Sequence, residues 1–181
     1  MIRRAASARR IVVRASEPAD LPAIAAIYGH HVATGWGSFE EDPPSVEEMA
    51  RRRADVLDRG LPFLVAATAD GVIAGYAYAS PFRMRPGYGR CLEDSIYVAP
   101  DALRGGIGTS LLAELIQRCT AAGYRQLVAV IGDNANAASI ALHERVGFHR
   151  VGLLQSVGCK RRRWIDAVLM QRPLGEGDAT S

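Results

Sequence analysis

The architecture of this chain follows from one segment, Glu93-Asp94-Ser95-Ile96-Tyr97-Val98-Ala99-Pro100-Asp101-Ala102-Leu103-Arg104-Gly105-Gly106-Ile107-Gly108-Thr109. Its aliphatic and aromatic first part predicts a β-strand, the Pro-Asp pair predicts a turn, and the glycines predict a loop that opens a helix. Apolar residues at helical spacing continue this helix to Ala122, and Gly123 ends it. A strand, a glycine-rich loop and a helix therefore follow one another without interruption.

The glycine-rich loop predicts an anion site. Glycines at the mouth of a helix let a phosphate approach the backbone, where free N–H groups and the helix dipole hold negative charge. The loop is not a P-loop, because no Lys follows Gly108, and it is not a dinucleotide fingerprint, because Leu111 replaces the third glycine. We therefore expect a diphosphate-bearing cofactor between Arg104 and Thr109. The alternative is a glycine-rich turn that only starts a helix.

A second strand and helix lie downstream. Residues 125–131 are rich in β-branched and aliphatic side chains and predict a buried strand. Residues 132–134 predict a turn, with Asn134 as the expected N-cap of a helix over residues 135–146.

Three polar residues of this helix, Asn136, Ser139 and His143, share one face because they are three, four and seven positions apart. A solvent-facing stripe is the alternative to a functional one.

Both segments resemble motifs of the GCN5-related N-acetyltransferases. Residues 103–108 are similar to the coenzyme A loop of that superfamily, [QR]-x-x-G-x-[GA], although Leu103 departs from it. Residues 136–148 are similar to its Asn-x-x-[SA]-x-x-Leu-[Tyr/His]-Glu-x-x-Gly-Phe segment. The resemblance implies an α/β (α+β) fold with a mixed, mostly antiparallel central sheet of about seven strands and helices on both faces. It also implies acetyl-CoA as cosubstrate and no metal.

Within the superfamily, the chain is similar to the phosphinothricin and methionine sulfoximine N-acetyltransferases from about Ile11 to Gln171. The similarity is carried by segments in the right order: residues 17–24, 27–32, 38–40, 75–83, 93–98, 130–132 and 158–160, followed by Trp164. The resemblance implies transfer of acetyl from acetyl-CoA to the amine of a small anionic amino acid or analogue. It also implies a homodimer.

The resemblance further implies roles for individual residues. Glu93 is the expected base that deprotonates the amine, with a structural hydrogen bond or salt bridge as the alternative, and Asp94 on the opposite face is the weaker choice. His143 is the expected donor of a proton to the leaving sulfur. The expected cofactor-binding residues are Ile96, Tyr97, Val98, Arg104, Gly105, Gly106, Ile107, Gly108, Thr109, Asn136 and Ser139. The expected substrate-binding residues are Phe39, Arg83, Arg85, Tyr88 and Lys160.

One run departs from the family pattern. Lys160-Arg161-Arg162-Arg163 is more basic than its counterparts, which have an aromatic residue or His and then Gly at positions 161 and 162. The departure is compatible with a change of acceptor or with a charged turn.

Composition limits the remaining possibilities. The 181 residues and 49% hydrophobic content predict one domain over residues 11–172, between a basic extension at 1–10 and a flexible tail at 173–181. Four arginines in the extension account for the formal charge of +3, since removing them leaves −1, and this argues against nucleic-acid binding. Apolar runs are too short for a membrane span, and three cysteines without a C-x-x-C pair favour the reducing cytoplasm. Adjacent His30 and His31 point apart on a helix, which argues against metal binding.

Two other functions remain open at this point. One is an acetyltransferase for another amine, such as an aminoglycoside, a polyamine or a protein N-terminus. The second is a sensor that binds acyl-CoA without catalysis. The basic residues Arg83, Arg85 and Lys160 argue against cationic acceptors, and the presence of both Glu93 and His143 argues against the sensor.

Overall fold

A computed structural model describes residues 11–179. The strands and helices follow in chain order: β1 (Ile11–Ala15), α1 (Leu21–Thr34), α2 (Val46–Asp58), β2 (Phe63–Thr68), β3 (Ile73–Pro81), β4 (Cys91–Val98), α3 (Ile107–Ala121), β5 (Gln126–Gly132), α4 (Ala137–Arg145), β6 (His149–Lys160) and β7 (Arg163–Pro173).

The seven strands form one mixed sheet in the order β1-β2-β3-β4-β5-β7-β6. Among the described strands, β4 and β5 make the one parallel pair, and every other neighbouring pair is antiparallel. A parallel pair needs a crossover connection, and α3 supplies it. The predicted mixed, mostly antiparallel sheet is thereby confirmed.

Helices cover both faces of the sheet, as the side chains of β4 show. Asp94 contacts His143 of α4 on one face. Tyr97, an odd number of residues further along the strand, packs edge-on against Tyr28 of α1, with ring centroids 4.8 Å apart. Strand β4 is therefore enclosed from both sides, which places its acidic residues in different environments.

The start of α4 differs from the sequence-based expectation. The helix begins at Ala137 and its N-cap is Asn136, whose side-chain oxygen accepts a hydrogen bond from the Ser139 N–H at 3.2 Å. Asn134, the expected cap, instead donates to Asp166 on β7. Asp133 adopts a positive φ of 68° and extends the preceding turn, so the helix starts later than the composition indicated.

The C-terminal boundary at residue 172 falls inside the packed structure. Strand β7 continues to Pro173, and Leu174 is buried in the hydrophobic core. The Leu174 N–H donates to the Arg125 carbonyl at 2.9 Å. The expected extension at residues 1–10 lies outside the described residues, as do the last two residues of the expected tail. Within residues 11–179, none of the helices has the length and apolarity needed to cross a membrane.

The connection between β6 and β7 is a tight turn built from arginines. Lys160 pairs with Arg163, and the two residues between them, Arg161 and Arg162, have φ values of 49° and 63°. Two positive φ values are typical of the type I′ hairpin turn, which favours Gly and Asn. Because a side chain with a Cβ is strained in this region, the turn is held by interactions that its arginines make elsewhere.

We expect Arg162→Gly to raise the free energy of unfolding by about 0.5–1 kcal/mol. Glycine relieves the left-handed strain, and its larger unfolded-state entropy offsets part of the gain. Arg162→Ala is the matched control, since alanine keeps the Cβ and the strain. Urea denaturation of both variants is the measurement, and equal stability of the glycine and alanine proteins would contradict this account of the turn.

Candidate active site

The central feature of the site is a cleft where two parallel strands separate. Strands β4 and β5 pair from Cys91 and Gln126 to Asp94 and Ala129 and then diverge. Residues 95–98 and 130–132 line the two sides of the resulting cavity, whose volume is about 1080 Å³. A cavity of this size accommodates a large cofactor. The free edge of β4 is therefore available to an extended ligand segment.

The glycine-rich loop forms one end of this cleft. Gly106 is the N-cap of α3 and adopts a φ of 76°, which a residue without a Cβ reaches at no steric cost. The first N–H groups of α3 have no partner inside the helix, and Ile107, Gly108 and Thr109 line the cavity. Arg104 adds a positive charge to the same lining. The residues present thus fit a diphosphate group.

Ten of the eleven expected cofactor-binding residues line the cleft; Gly105 lies in the same loop but outside the lining. The side-chain oxygen of Asn136 is used as the α4 cap, and the Ser139 carbonyl accepts a hydrogen bond from His143. On β4, the Val98 carbonyl accepts a hydrogen bond from Nε2 of His31 at 2.8 Å. This carbonyl is therefore already satisfied before any ligand arrives.

Glu93 lines the cleft on the face of β4 that also carries Tyr97. Burial raises the pKa of Glu93, the negative charge of Asp94 raises it further, and the positive charge of Arg83 opposes both. A carboxylate in such surroundings accepts a proton more readily than one in water. The environment thus suits a proton acceptor.

His143 and Asp94 form a buried pair on the opposite face. Nε2 of His143 lies 3.1 Å from Oδ2 of Asp94, and both side chains are only 2% exposed. Nδ1 donates to the Ser139 carbonyl at 2.8 Å. Burial alone lowers the pKa of His143, but the hydrogen bond and charge of Asp94, together with the Ser139 carbonyl, outweigh it and raise the pKa. His143 thus carries a positive charge over a wider pH range than a free imidazole.

A hydrogen-bonded network closes the α1 side of the cleft. Tyr28 donates from its hydroxyl to Oε1 of Glu40 at 2.8 Å and pairs with the Ser38 hydroxyl at 2.9 Å. Arg52 of α2 binds both carboxylate oxygens of Glu40, at 2.7 and 3.2 Å. Burial raises the pKa of Tyr28 to about 12. The hydroxyl therefore stays protonated and remains the donor in its hydrogen bond to Glu40.

The expected substrate-binding residues do not come together. Phe39 lines the cleft. Arg83, Arg85 and Tyr88 line a separate depression of about 190 Å³, where the Arg83 guanidinium lies over the Tyr88 ring. Lys160 is 0% exposed and lies outside the lining of the cleft, with its ammonium bonded to backbone carbonyls. A direct contact between Lys160 and a substrate does not fit this position.

Sequence reasoning assigned no role in the cleft to several residues that line it, namely Tyr28, His31, Trp36 and Glu40. A signal existed for two of them, because Tyr28 and His31 lie three positions apart on one face of α1. Asp94 was correctly expected to face away from Glu93. The contact between Asp94 and His143 of α4 depends on the packing of α4 against β4, which no local sequence pattern indicates.

Comparison with known proteins gives one family. The family model described as "Acetyltransferase (GNAT) family" matches residues 29–148. The phosphinothricin N-acetyltransferase of Alcaligenes faecalis is 56% identical over 93% of this chain and 85% of its own length. The L-methionine sulfoximine/L-methionine sulfone acetyltransferase of Pseudomonas paraeruginosa is 40% identical over 88% of this chain and 92% of its own.

A solved structure agrees with both matches. The crystal structure of a GNAT superfamily phosphinothricin acetyltransferase from Sinorhizobium meliloti, in complex with AcCoA, superimposes with a TM-score of 0.91 at 48% identity and covers 94% of this chain and 92% of its own. The separated strands, the glycine-rich start of α3 and the order of the strands agree with these matches. The matches show that the chain belongs to the GNAT family of acetyltransferases.

Proposed function

We propose that this protein transfers an acetyl group from acetyl-CoA to the amine of a small anionic amino acid or analogue, such as phosphinothricin, methionine sulfoximine or methionine sulfone. The observation that carries the proposal is the shared cleft, which joins the anion-binding start of α3 to Glu93 along one strand. Glu93 lies five residues before Val98 on β4, about 16 Å along an extended strand. A cofactor bound at the loop can therefore present its reactive end beside Glu93.

The chain's own groups hold the cosubstrate. The N–H groups at the start of α3 bind the diphosphate, and the backbone of Ile96 and Tyr97 binds the extended arm as an additional strand partner. Asn136 and Ser139 line the other side of the arm. When bound, acetyl-CoA supplies an activated thioester carbonyl.

Glu93 accepts the proton that the amine must lose before it can attack. An alkyl ammonium has no lone pair, so a base near the reacting atoms raises the fraction of competent amine. Its raised pKa brings Glu93 closer to neutrality, where a base is most effective. A direct transfer or one through a water molecule satisfies this role.

His143 stabilises the negative charge that develops on the departing sulfur. Both of its ring nitrogens already donate, to Ser139 and to Asp94, so its first contribution is the positive charge of the imidazolium. Delivery of a proton to sulfur requires one of these two hydrogen bonds to open. Asp94 keeps the imidazole charged and oriented, and we assign it as a positioning residue.

The acceptor class rests on the relatives and on one electrostatic feature. The relatives' names specify phosphinothricin and methionine sulfoximine or sulfone, which carry an α-amine beside acidic or polar groups. Arg83 lies in the separate depression, but its positive charge acts on Glu93 and opposes the rise in its pKa, so it adds to the positive potential that attracts an anionic acceptor. The aromatic side chains of Phe39 and Tyr78 line the same cleft as Glu93.

Assembly into a homodimer is part of the proposal. Strand β6 lies at the edge of the sheet, and its side chains Val151, Leu153, Leu154 and Val157 are exposed. A long edge strand with exposed apolar residues is a surface that pairs readily with a second chain.

The cysteines bear on the location of the protein. Cys91, Cys119 and Cys159 are all free thiols, which is consistent with a reducing cytoplasmic location.

An acceptor screen tests the function directly. We expect release of free thiol from acetyl-CoA with phosphinothricin, methionine sulfoximine or methionine sulfone, and little release with aminoglycosides, polyamines or N-terminal peptides. Calorimetric binding of acetyl-CoA without thiol release in the presence of any amine would instead favour the sensor.

We expect Glu93→Gln to lower kcat by roughly 10²–10⁴-fold, because the amide cannot take up a proton. The acid limb of the pH–rate profile should also disappear, while the Kd for acetyl-CoA stays the same. Glu144→Gln, at an exposed position on α4, is the control and should keep wild-type rates. A Glu93→Gln enzyme with normal kcat would remove Glu93 from the mechanism.

We expect Asp94→Asn to move the alkaline limb of the kcat profile to lower pH. The pKa of His143 is raised in the folded protein. The stability that comes from the charged imidazole is therefore fully present below the pKa of histidine in the unfolded chain. It is lost as the pH rises through the pKa of His143 in the folded protein. Without the Asp94 carboxylate the folded pKa falls, and activity is lost sooner as the pH rises. Rates and melting temperatures over the same pH range check both effects, and an unmoved limb would contradict the role of the pair.

A further inference from the structure

The connection between α1 and α2 begins with residues 35–41, which form a wall of the cleft without regular helix or strand structure and are called the 35–41 loop below. Residues 35–40 of this loop line the cavity, including Trp36, Phe39 and Glu40. A loop has few hydrogen bonds of its own to fix its shape. The position of this wall therefore depends on what holds it from outside.

Lys160 holds the loop from beneath. Its buried ammonium donates to the carbonyl of Gly35 at 3.0 Å and to the carbonyl of Ser38 at 2.9 Å. Burial lowers the pKa of Lys160, the charge of Arg161 lowers it further, and the charges of Glu41 and Glu40 oppose this. Within residues 11–179, no ion pair is recorded for Lys160, so its contacts are with the loop backbone. Such a buried cation serves to fix two carbonyls in place.

Arg161 holds the two ends of the loop. Its guanidinium donates to the carbonyls of Val32, at 2.8 Å, and Ala33 in the last turn of α1, where carbonyls lack helical partners. Its backbone N–H donates to Oε1 of Glu41 at 3.0 Å. One residue of the β6–β7 turn thus contacts both the entry and the exit of the loop.

Arg163 contacts Trp36, the second residue of the 35–41 loop. Its guanidinium carbon lies 4.7 Å from the centre of the Trp36 ring, and that of Arg161 lies 5.8 Å from the same ring. Both distances are within the range of a cation–π interaction. Arg163 also reaches Asp133, which follows β5, at 3.5 Å.

Two glycines let the loop sit directly on the strands. A Cβ on Gly158 of β6 would be 2.3 Å from the Phe39 ring, and a Cβ on Gly132 of β5 would be 2.7 Å from the Trp36 carbonyl. Either approach leaves no space for a side chain. The 35–41 loop is thus packed against the ends of β5 and β6 as well as bonded to the turn between β6 and β7.

We propose that the basic turn at residues 160–163 is a clamp that fixes the 35–41 loop in the position needed to bind the acceptor. Lys160, Arg161 and Arg163 are positioning residues that set the KM for the acceptor without contacting it. The inference rests on the proposed transfer to an amine. The clamp gives the basic run a role in acceptor recognition, because the run fixes the cleft wall. The role of Lys160 is then to hold the backbone of the 35–41 loop and not to contact the substrate.

Arginine substitutions in the turn provide the test. The double variant Arg161→Ala/Arg163→Ala removes both cations from Trp36 and the donors from the end of α1. Arg162→Ala is the matched control, because it removes an exposed arginine of the same turn whose side chain has no recorded contact with the 35–41 loop or Trp36 within residues 11–179. Labelling with 5-fluorotryptophan gives one ¹⁹F resonance for Trp36 and one for Trp164, and a Trp164→Phe protein assigns them.

We expect the Trp36 resonance to shift in the double variant and to remain in place in Arg162→Ala. The KM for the acceptor should rise about 10-fold in the double variant, as expected for the loss of cation–π and charged hydrogen-bond contacts. The Kd for acetyl-CoA and kcat should stay within about twofold of the wild-type values, since the loop at the start of α3 is untouched.

Three results would overturn the clamp, and the first two concern the Trp36 resonance. One is an unshifted Trp36 resonance, and the other is a shifted resonance with an unchanged acceptor KM. A parallel loss of acetyl-CoA affinity and thermal stability would also count against it, because that pattern belongs to a turn with only a structural role. The proposed function and the clamp fail in different ways. A wild-type protein that is inactive with all amines would contradict the proposed function. The contact between the turn and Trp36 would still be tested, because the ¹⁹F measurement needs no substrate.

Discussion

The structure depends on the point at which β4 and β5 stop pairing. Beyond Asp94 and Ala129 the two strands diverge, and their facing backbone groups lose the partners that a continuous sheet provides. Backbone N–H and C=O groups are rarely left unpaired, so the groups that face this opening are available to water, to a ligand or to another part of the protein. The glycine-rich start of α3 at one end and the wall of the 35–41 loop at the side both border the same opening.

Adjacent acidic residues of β4 illustrate how one strand serves two purposes. Glu93 faces the open cleft, where burial raises its pKa, and Asp94 faces α4, where it contacts His143. Alternation along the strand separates the two carboxyl groups, although Asp94 still raises the pKa of its neighbour. The residue proposed as the proton acceptor and the pair proposed as the source of positive charge therefore lie on opposite faces of a single strand, in different environments.

The wall of the cleft that we propose to bind the acceptor is assembled from distant parts of the chain. The Glu40 carboxylate is bound by Arg52 of α2 and Tyr28 of α1, while the backbone of the same loop is bound by Lys160. The strand edge and the glycine-rich loop proposed to bind the cosubstrate, in contrast, come from one continuous segment running from β4 into α3, with Asn136 and Ser139 added from the start of α4. Among the described residues, the turn between β6 and β7 contacts the 35–41 loop and not the glycine-rich loop, so the proposed clamp predicts an effect on acceptor recognition that leaves the coenzyme A loop intact.

The sequence alone determined the order of strands and helices between residues 93 and 146, the glycine-rich start of α3 and the resemblance to the family, because each depends on residues close together in the chain. The alternation of Glu93 and Asp94 was equally local. Only the tertiary structure decided the partners of these residues. Asp94 meets His143 across 49 positions, and Lys160 meets Ser38 across 122. Arg83 and Arg85 were placed outside the cleft by the path of their loop, and Asn136 became the α4 cap because Asp133 extended the turn. Periodicity fixes which face a side chain occupies, but packing between elements fixes what lies against that face.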